Sequence, residues 1–158
     1  MKRRAAAATV PQRELVLYVE DEEPNFEVAE LRLSKGYELL WARTDQEACD
    51  ALRKHAARLT AILMDIQLKG SVLDGMQLTQ LVRGTLPITA RPKFAHDVPV
   101  LDTAIFFVTA YADVYPEAKL LRLGGDRLIT KPVDFAALSL ALADVHLARI
   151  SRRHPPAG

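Results

Sequence analysis

The sequence predicts an α/β fold built on an open parallel sheet, from three observations. Four short apolar runs, Leu15–Val19, Ala61–Met64, Ala104–Val108 and Leu128–Thr130, have the length and content of buried strands. Strands covered on both faces read in this way, as continuous hydrophobic runs. Helical segments alternate with the runs, as in successive βαβ units. Each run is also followed at once by a polar group: Glu20-Asp21-Glu22, Asp65, Thr109 and Lys131. Ligands bind at the carboxyl ends of the strands in such sheets, so these residues should converge at one edge. Three carboxylates, a hydroxyl and an ammonium form a site for a divalent cation and a phosphoryl group.

The elements follow in order. Residues 1–13 are basic and Ala-rich and are expected to form a flexible N-terminal tail. The first strand spans 14–19. A helix opens near Pro24, since proline suits a first helical turn, carries Phe26, Ala29, Leu31 and Leu33, and stops at Gly36. Tyr37–Ala42 reads as the second strand, and Thr44-Asp-Gln-Glu47 as a capping box that starts the second helix. The third strand, 60–64, delivers Asp65. Asp74 and Gln77 cap a third helix with Leu78, Leu81 and Val82 facing inward. Strand four covers 104–108, and helix four runs from Asp113 to Gly124-Gly125, where glycine supplies a left-handed cap. Strand five covers 127–130. Asp134 caps a last helix that reaches about Arg152, and a flexible tail is expected over 151–158.

Composition is compatible with this and narrows little else. The chain has 158 residues, enough for one domain with a sizeable core. A net charge of +1 exerts no whole-molecule pull on nucleic acid or anionic membrane. The single cysteine, Cys49, excludes an intramolecular disulfide and suits a reducing cytoplasm. The start, Met1-Lys2-Arg3-Arg4-Ala5, has the charge of a signal n-region, but the apolar stretch behind it stops too early, at Pro11. No apolar run approaches the roughly 20 residues that span a bilayer. His55, His96, His146 and His154 lack metal-ligand spacing and read as surface or packing residues.

Four motifs in order, LVLYVEDEEPN, AILMDIQL followed by LDG, FFVTA and LITKPV, give the chain a resemblance to response-regulator receiver domains from about Leu15 to about Ala148. Any one of these motifs is weak; all four in order, each at a strand end, are specific. The resemblance implies a flavodoxin-like doubly wound three-layer sandwich, with five parallel strands in the order 2-1-3-4-5 and five helices. It implies a receiver over 14–150 that accepts a phosphoryl group on Asp65 from a histidine kinase or histidine phosphotransfer protein. Glu20, Asp21, Asp65 and the backbone carbonyl of Gln67 would hold Mg²⁺, with Asp21 direct and Glu20 mostly through water. Thr109 and Lys131 would bind the phosphoryl oxygens, the Lys131-Pro132 bond being cis. It implies catalysis only of the chain's own phosphorylation and dephosphorylation, and so no enzyme in the usual sense. A cytoplasmic location, an unidentified downstream protein and a homodimer through helix four, strand five and helix five complete the picture. Direct contact with nucleic acid or membrane is not expected, because the segment after Ala148 is too short for a DNA-binding domain.

The bare residues also admit plainer readings: Asp65 as a helix-capping residue, Glu20-Asp21 as an acidic loop favoured by a helix dipole. Neither explains the two together. A haloacid-dehalogenase-type phosphatase would place a second Asp two positions after its nucleophile, where this chain has Gln67. A nucleotide-binding flavodoxin-like protein would need a phosphate-cradling loop where Glu20-Asp21-Glu22 stand. Several positions depart from the receiver pattern. Leu128 occupies the place of an aromatic switch residue, so Tyr111 or Tyr115 would take part in the readout. Tyr111, two residues beyond Thr109, would shield an acyl phosphate from water. An insertion at 84–102 carries Pro87, Pro92 and Pro99 with Arg91, Lys93 and His96. Loops of that length are often functional, and a partner-binding element and a tolerated surface excursion stand level. Leu128 and the insertion fit a degenerate receiver acting as a phosphorylation-independent binding module; the complete acidic, hydroxyl and lysine set argues against it. On the last helix, Leu138, Leu142 and Val145 form the expected core stripe. Leu140, Leu147 and Ile150 lie partly on another face, open to a second copy or to the insertion.

Overall fold

The computed structural model describes residues 12–155 and 157. Five parallel strands, β1 (Glu14–Val19), β2 (Tyr37–Ala42), β3 (Leu59–Met64), β4 (Ala104–Thr109) and β5 (Arg127–Thr130), form one sheet in the order β2-β1-β3-β4-β5. Five α-helices alternate with them: α1 (Glu23–Leu33), α2 (Asp45–His55), α3 (Gly75–Arg83), α4 (Glu117–Arg122) and α5 (Phe135–Arg153). The flavodoxin-like three-layer arrangement expected from the sequence is therefore the one observed. The expected N-terminal tail lies, apart from Gln12 and Arg13, outside the described residues. At the other end α5 continues through Arg153, into the segment expected to be flexible.

Alternation along the central strands divides the core into two. Leu15, Leu17, Val19, Ile62, Met64, Ile105 and Phe107 face α2, α3 and α4. Val16, Tyr18, Ala61, Leu63, Phe106 and Val108 face α1 and α5. All six residues of β3 are buried, which is why its last four, Ala61–Met64, read as an unbroken apolar run. Helix α1 buries Phe26, Ala29 and Leu33 at helical spacing, whereas Leu31 falls between those positions and is 77% exposed.

The caps explain the helix boundaries. Thr44 accepts the Glu47 N–H at 3.3 Å, but the Glu47 carboxylate reaches the N–H of Arg43, so only half of the expected capping box forms. At α3 the box is complete, with Asp74 and Gln77 bonded reciprocally at 2.8 and 3.0 Å. Asp134 caps α5 by accepting two N–H groups. Helix α4 starts at Glu117, four residues later than the sequence predicts. The reason is Pro116: the residue before a proline is disfavoured in the helical region, and Pro116 itself is extended with ψ 133°.

The insertion proves to be part of the core. Two 3-10 turns, Ile88–Ala90 and Lys93–Ala95, carry it across the α2–α3 side, and Leu86, Ala95 and Val98 are buried there. Arg53 of α2 fastens it through the Phe94 carbonyl and Asp97, at 2.8 and 2.9 Å. It is thus not free of the core, although most of its residues stay exposed. Nor does it cover the second face of α5, since Leu140, Leu147 and Ile150 are all exposed.

Candidate functional site

Backbone hydrogen bonds at the carboxyl edge of the sheet place the predicted residues side by side. The Glu20 N–H donates to Ala42, the Asp65 N–H to Val19 and the Lys131 N–H to Thr109, at 2.9, 3.0 and 2.9 Å. Each polar residue is the first after its strand, or in the case of Thr109 the last within it. The side chains therefore meet although up to 111 positions separate them.

Glu20, Asp21 and Asp65 bring carboxylate oxygens within 4.8 Å of one another, the only such acidic, histidine or cysteine cluster found among the described residues. Glu20 is fully buried and nearly saturated by the protein. Its Oε2 accepts Tyr18 Oη–H at 3.1 Å and Lys131 Nζ–H at 2.8 Å, while Oε1 accepts the Glu22 N–H at 3.0 Å. Asp65 accepts the Ile66 N–H on Oδ1 at 2.7 Å and Lys131 Nζ–H on Oδ2 at 3.0 Å. Asp21 is only half-buried and accepts the Lys69 N–H at 3.1 Å.

The electrostatics follow from burial and crowding. Burial first, and the Glu20 charge second, push the Asp65 carboxyl up to about 6, against the opposing pull of Lys131 and the Ile66 amide. Burial works against the Lys131 ammonium, but its hydrogen bonds to Glu20 and Asp65 outweigh that and raise its pKa above the usual lysine value. Burial, reinforced by Glu20, raises the Tyr18 phenol, which remains a donor at any physiological pH. A cluster of three carboxylates facing one ammonium is short of positive charge, and its all-oxygen donor set suits a hard cation such as Mg²⁺. Of the three, Asp21 retains the most free acceptor capacity and Glu20 the least.

The remaining predicted residues fall around this centre. Thr109 is fully buried, and its Oγ1 accepts the Tyr111 N–H at 3.0 Å, which leaves its own hydrogen available to donate. The Lys131-Pro132 bond is cis, as implied. Gln67 is exposed, no described hydrogen bond uses its carbonyl, and its side-chain amide donates to Tyr115 Oη at 3.3 Å. Leu128 and Tyr115 are half-buried against the α2–α4 side of the core, and Tyr111 is 49% exposed. None of the four histidines belongs to the acidic cluster.

Three residues near the site were not singled out from the sequence. Tyr18 donates to Glu20 from inside β1, where it reads as core. Trp41, the only tryptophan, donates its indole N–H to the Glu20 carbonyl at 2.7 Å and stacks on Phe26 with ring centroids 4.6 Å apart. Asp45 lies buried at the start of α2. The one sequence signal for Asp45 was its place within a capping motif, which points to a helix end rather than to a site.

A family model described as the response regulator receiver domain matches residues 16–143. Among solved structures, the receiver domain of Francisella response regulator 1452 is 17% identical with a TM-score of 0.69, over 87% of this chain and 99% of that one. A response regulator receiver domain protein from Clostridium thermocellum is 18% identical with a TM-score of 0.68, over 85% of this chain and 95% of that one. NtrX from Brucella abortus, at 22% identity and a TM-score of 0.69, is matched over 90% of this chain but only 29% of its own. No curated protein sequence matches the chain. At these identities the structural likeness is one of fold.

Proposed function

Since the chain belongs to the response regulator receiver domain family, we propose that it is a phosphorylatable receiver whose aspartyl-phosphate switches protein–protein interactions. The observation that carries this reading is Lys131 Nζ, 3.0 Å from Asp65, at the edge of a cluster of three carboxylates. Asp65 attacks the phosphorus of a phosphohistidine on a histidine kinase or phosphotransfer protein. The P–O bond forms as the P–N bond breaks, and the electron pair of that bond returns to the imidazole of the donor. Mg²⁺, held by Glu20, Asp21, Asp65 and the Gln67 carbonyl, would supply charge neutralisation for the transferring group. Lys131 offsets further charge on its oxygens, and the Thr109 hydroxyl donates to one of them. The donor would approach beside a cavity of about 320 Å³ lined by Tyr18, Val28, Arg32, Lys131, Pro132 and Phe135.

The test is incubation with Mg²⁺ and acetyl phosphate or phosphoramidate, followed by intact-mass measurement. A mass increase of one phosphoryl group is expected in the wild type. No adduct with either donor would favour a phosphorylation-independent binding module instead, with Leu128 in place of the aromatic switch.

Tyr111 stands exposed two residues beyond Thr109, where it can keep water from the acyl phosphate. Tyr111→Glu should therefore speed hydrolysis, read as decay of the adduct once the donor is removed. An unchanged half-life would refute the shielding role.

A second copy is the partner proposed for α5. Ala136, Leu140, Ala143, Leu147 and Ile150 recur at heptad spacing along its outer side, and Leu140 and Leu147 are 70% and 60% exposed. An antiparallel pairing centred on Ala143 brings Asp134 of each copy towards Arg152 and Arg153 of the other. Leu147→Arg should then shift sedimentation towards the monomer; identical profiles for wild type and variant would count against the pairing.

Among the described residues no helix is long and apolar enough to cross a membrane.

A further inference from the structure

The segment joining β3 to α3 is held down by one buried carboxylate of α2. Asp45, the first residue of α2, is 2% exposed. Its Oδ2 accepts the N–H groups of Val72 and Leu73, each at 2.9 Å, and its Oδ1 accepts that of Gln46 at 2.9 Å. The Asp45 N–H in turn donates to Ser71 Oγ at 3.0 Å. Among the described residues Asp45 forms no salt bridge; backbone amides and the helix N-terminus meet its charge.

The same segment closes on the acidic cluster at its other end. The Lys69 N–H donates to Asp21 Oδ2, and the Lys69 ammonium reaches Glu22, both at 3.1 Å. Between the two anchors the chain reverses in a turn closed by Ser71 N–H to the Leu68 carbonyl at 3.3 Å, with Gly70 at φ +77°. Only three residues thus lie between the Lys69 amide that holds Asp21 and the Leu73 amide held by Asp45. Freeing Ser71–Leu73 would release the turn and with it the Lys69 contact.

We propose that Asp45 is a positioning residue for the cation site: by pinning Ser71–Leu73 it holds the Lys69 amide against Asp21 and keeps the Gln67 end of the loop beside the acidic cluster. This rests on the reading that Glu20, Asp21 and Asp65 bind Mg²⁺. Groups that orient a metal-binding carboxylate from behind typically change metal affinity by 10–100-fold when removed.

The experiment titrates Mg²⁺ into the full chain while following Trp41 emission, which reports on Glu20 through the indole hydrogen bond. Hydrogen exchange at residues 69–73 is measured in parallel without metal. Asp45→Ala should raise the Mg²⁺ Kd about tenfold and speed exchange at Lys69, Val72 and Leu73. Asp45→Asn retains one oxygen that can accept both loop amides, so its Kd should stay within about threefold of wild type. If Asp45→Ala does not fold, Ser71→Ala with Val72→Pro removes two of the contacts from the loop side and leaves the Leu73 N–H on Asp45, with a smaller rise in the Mg²⁺ Kd expected. Wild-type affinity in a folded variant with a released loop overturns the positioning role while leaving the Mg²⁺ site intact. Unchanged loop exchange overturns the pinning. A wild-type chain that binds no Mg²⁺ overturns both the cation site and this inference.

Discussion

Asp65→Asn should abolish the phosphoryl adduct entirely and, in the same protein, raise stability at neutral pH in the absence of divalent cations. The first effect follows from losing the attacking carboxylate. The second follows from the charge it removes. In the folded chain, burial and the neighbouring Glu20 push the Asp65 carboxyl from 3.8 up to about 6. A carboxyl whose pKa is raised by folding contributes stability that is complete below its unfolded value and is lost as pH rises through the folded one. Between about pH 4 and pH 6, ionisation of Asp65 therefore costs the folded state progressively more, on the order of 1–3 kcal/mol once complete. Asparagine carries no such cost, and Lys131 keeps its 2.8 Å partner Glu20. In EDTA at pH 7.5 the variant should melt several degrees above wild type, at roughly 2–4 °C per kcal/mol for a chain of this size, and the gap should shrink below pH 5. Saturating Mg²⁺ should narrow it from the other side, by stabilising wild type more than the variant. A variant that melts below wild type in EDTA at pH 7.5 would mean that the Lys131 contact outweighs the crowding of the carboxylates.

This balance also separates what the sequence made legible from what it did not. Glu20, Asp21, Asp65, Thr109 and Lys131 could be picked out because each follows or ends a buried strand, and a parallel sheet brings strand ends together whatever their separation in sequence. The strand limits were clear for the same reason: β1 and β5 end where their apolar runs do and begin one residue earlier, at Glu14 and Arg127. Features that depend on which side of a helix faces inward were less legible. Leu31 is as apolar as Leu33 but lies on the outer side of α1. The apparent start of α4 at Asp113 looked sound until Pro116 is given its effect on Tyr115. The 84–102 segment, rich in proline and charge, looked like a surface loop because its buried residues, Leu86, Ala95 and Val98, are too widely spaced to show a period. Asp45 is the clearest case. Its carboxylate serves a loop 27–28 positions away, and no local pattern records a contact of that range.

Gly75→Ala should be the most disruptive single-methyl change at the site. Gly75 opens α3 directly behind the phosphoacceptor, and its N–H donates to the Ile66 carbonyl at 2.8 Å. A Cβ built there would lie 1.9 Å from the Asp65 carbonyl oxygen and 2.9 Å from the Ile66 Cα. Both neighbours are backbone, so no rotamer change relieves the clash; either α3 or the end of β3 must move. Overpacking that displaces backbone costs about 3 kcal/mol or more, which lowers Tm by about 10 °C in a chain of this length. Movement at the end of β3 also carries Asp65 away from Lys131 and Asp21, so the adduct should be lost even at temperatures where the variant is folded. Gly36 supplies the contrast: a Cβ there meets nothing within 4 Å and the backbone does not take a positive φ, so Gly36→Ala should leave both Tm and phosphorylation close to wild type. The pair distinguishes a local collision at the acceptor from a general intolerance of added side chains. Equal melting temperatures and equal adduct yields for the two variants would show that α3 does not press on Asp65 in solution as it does here.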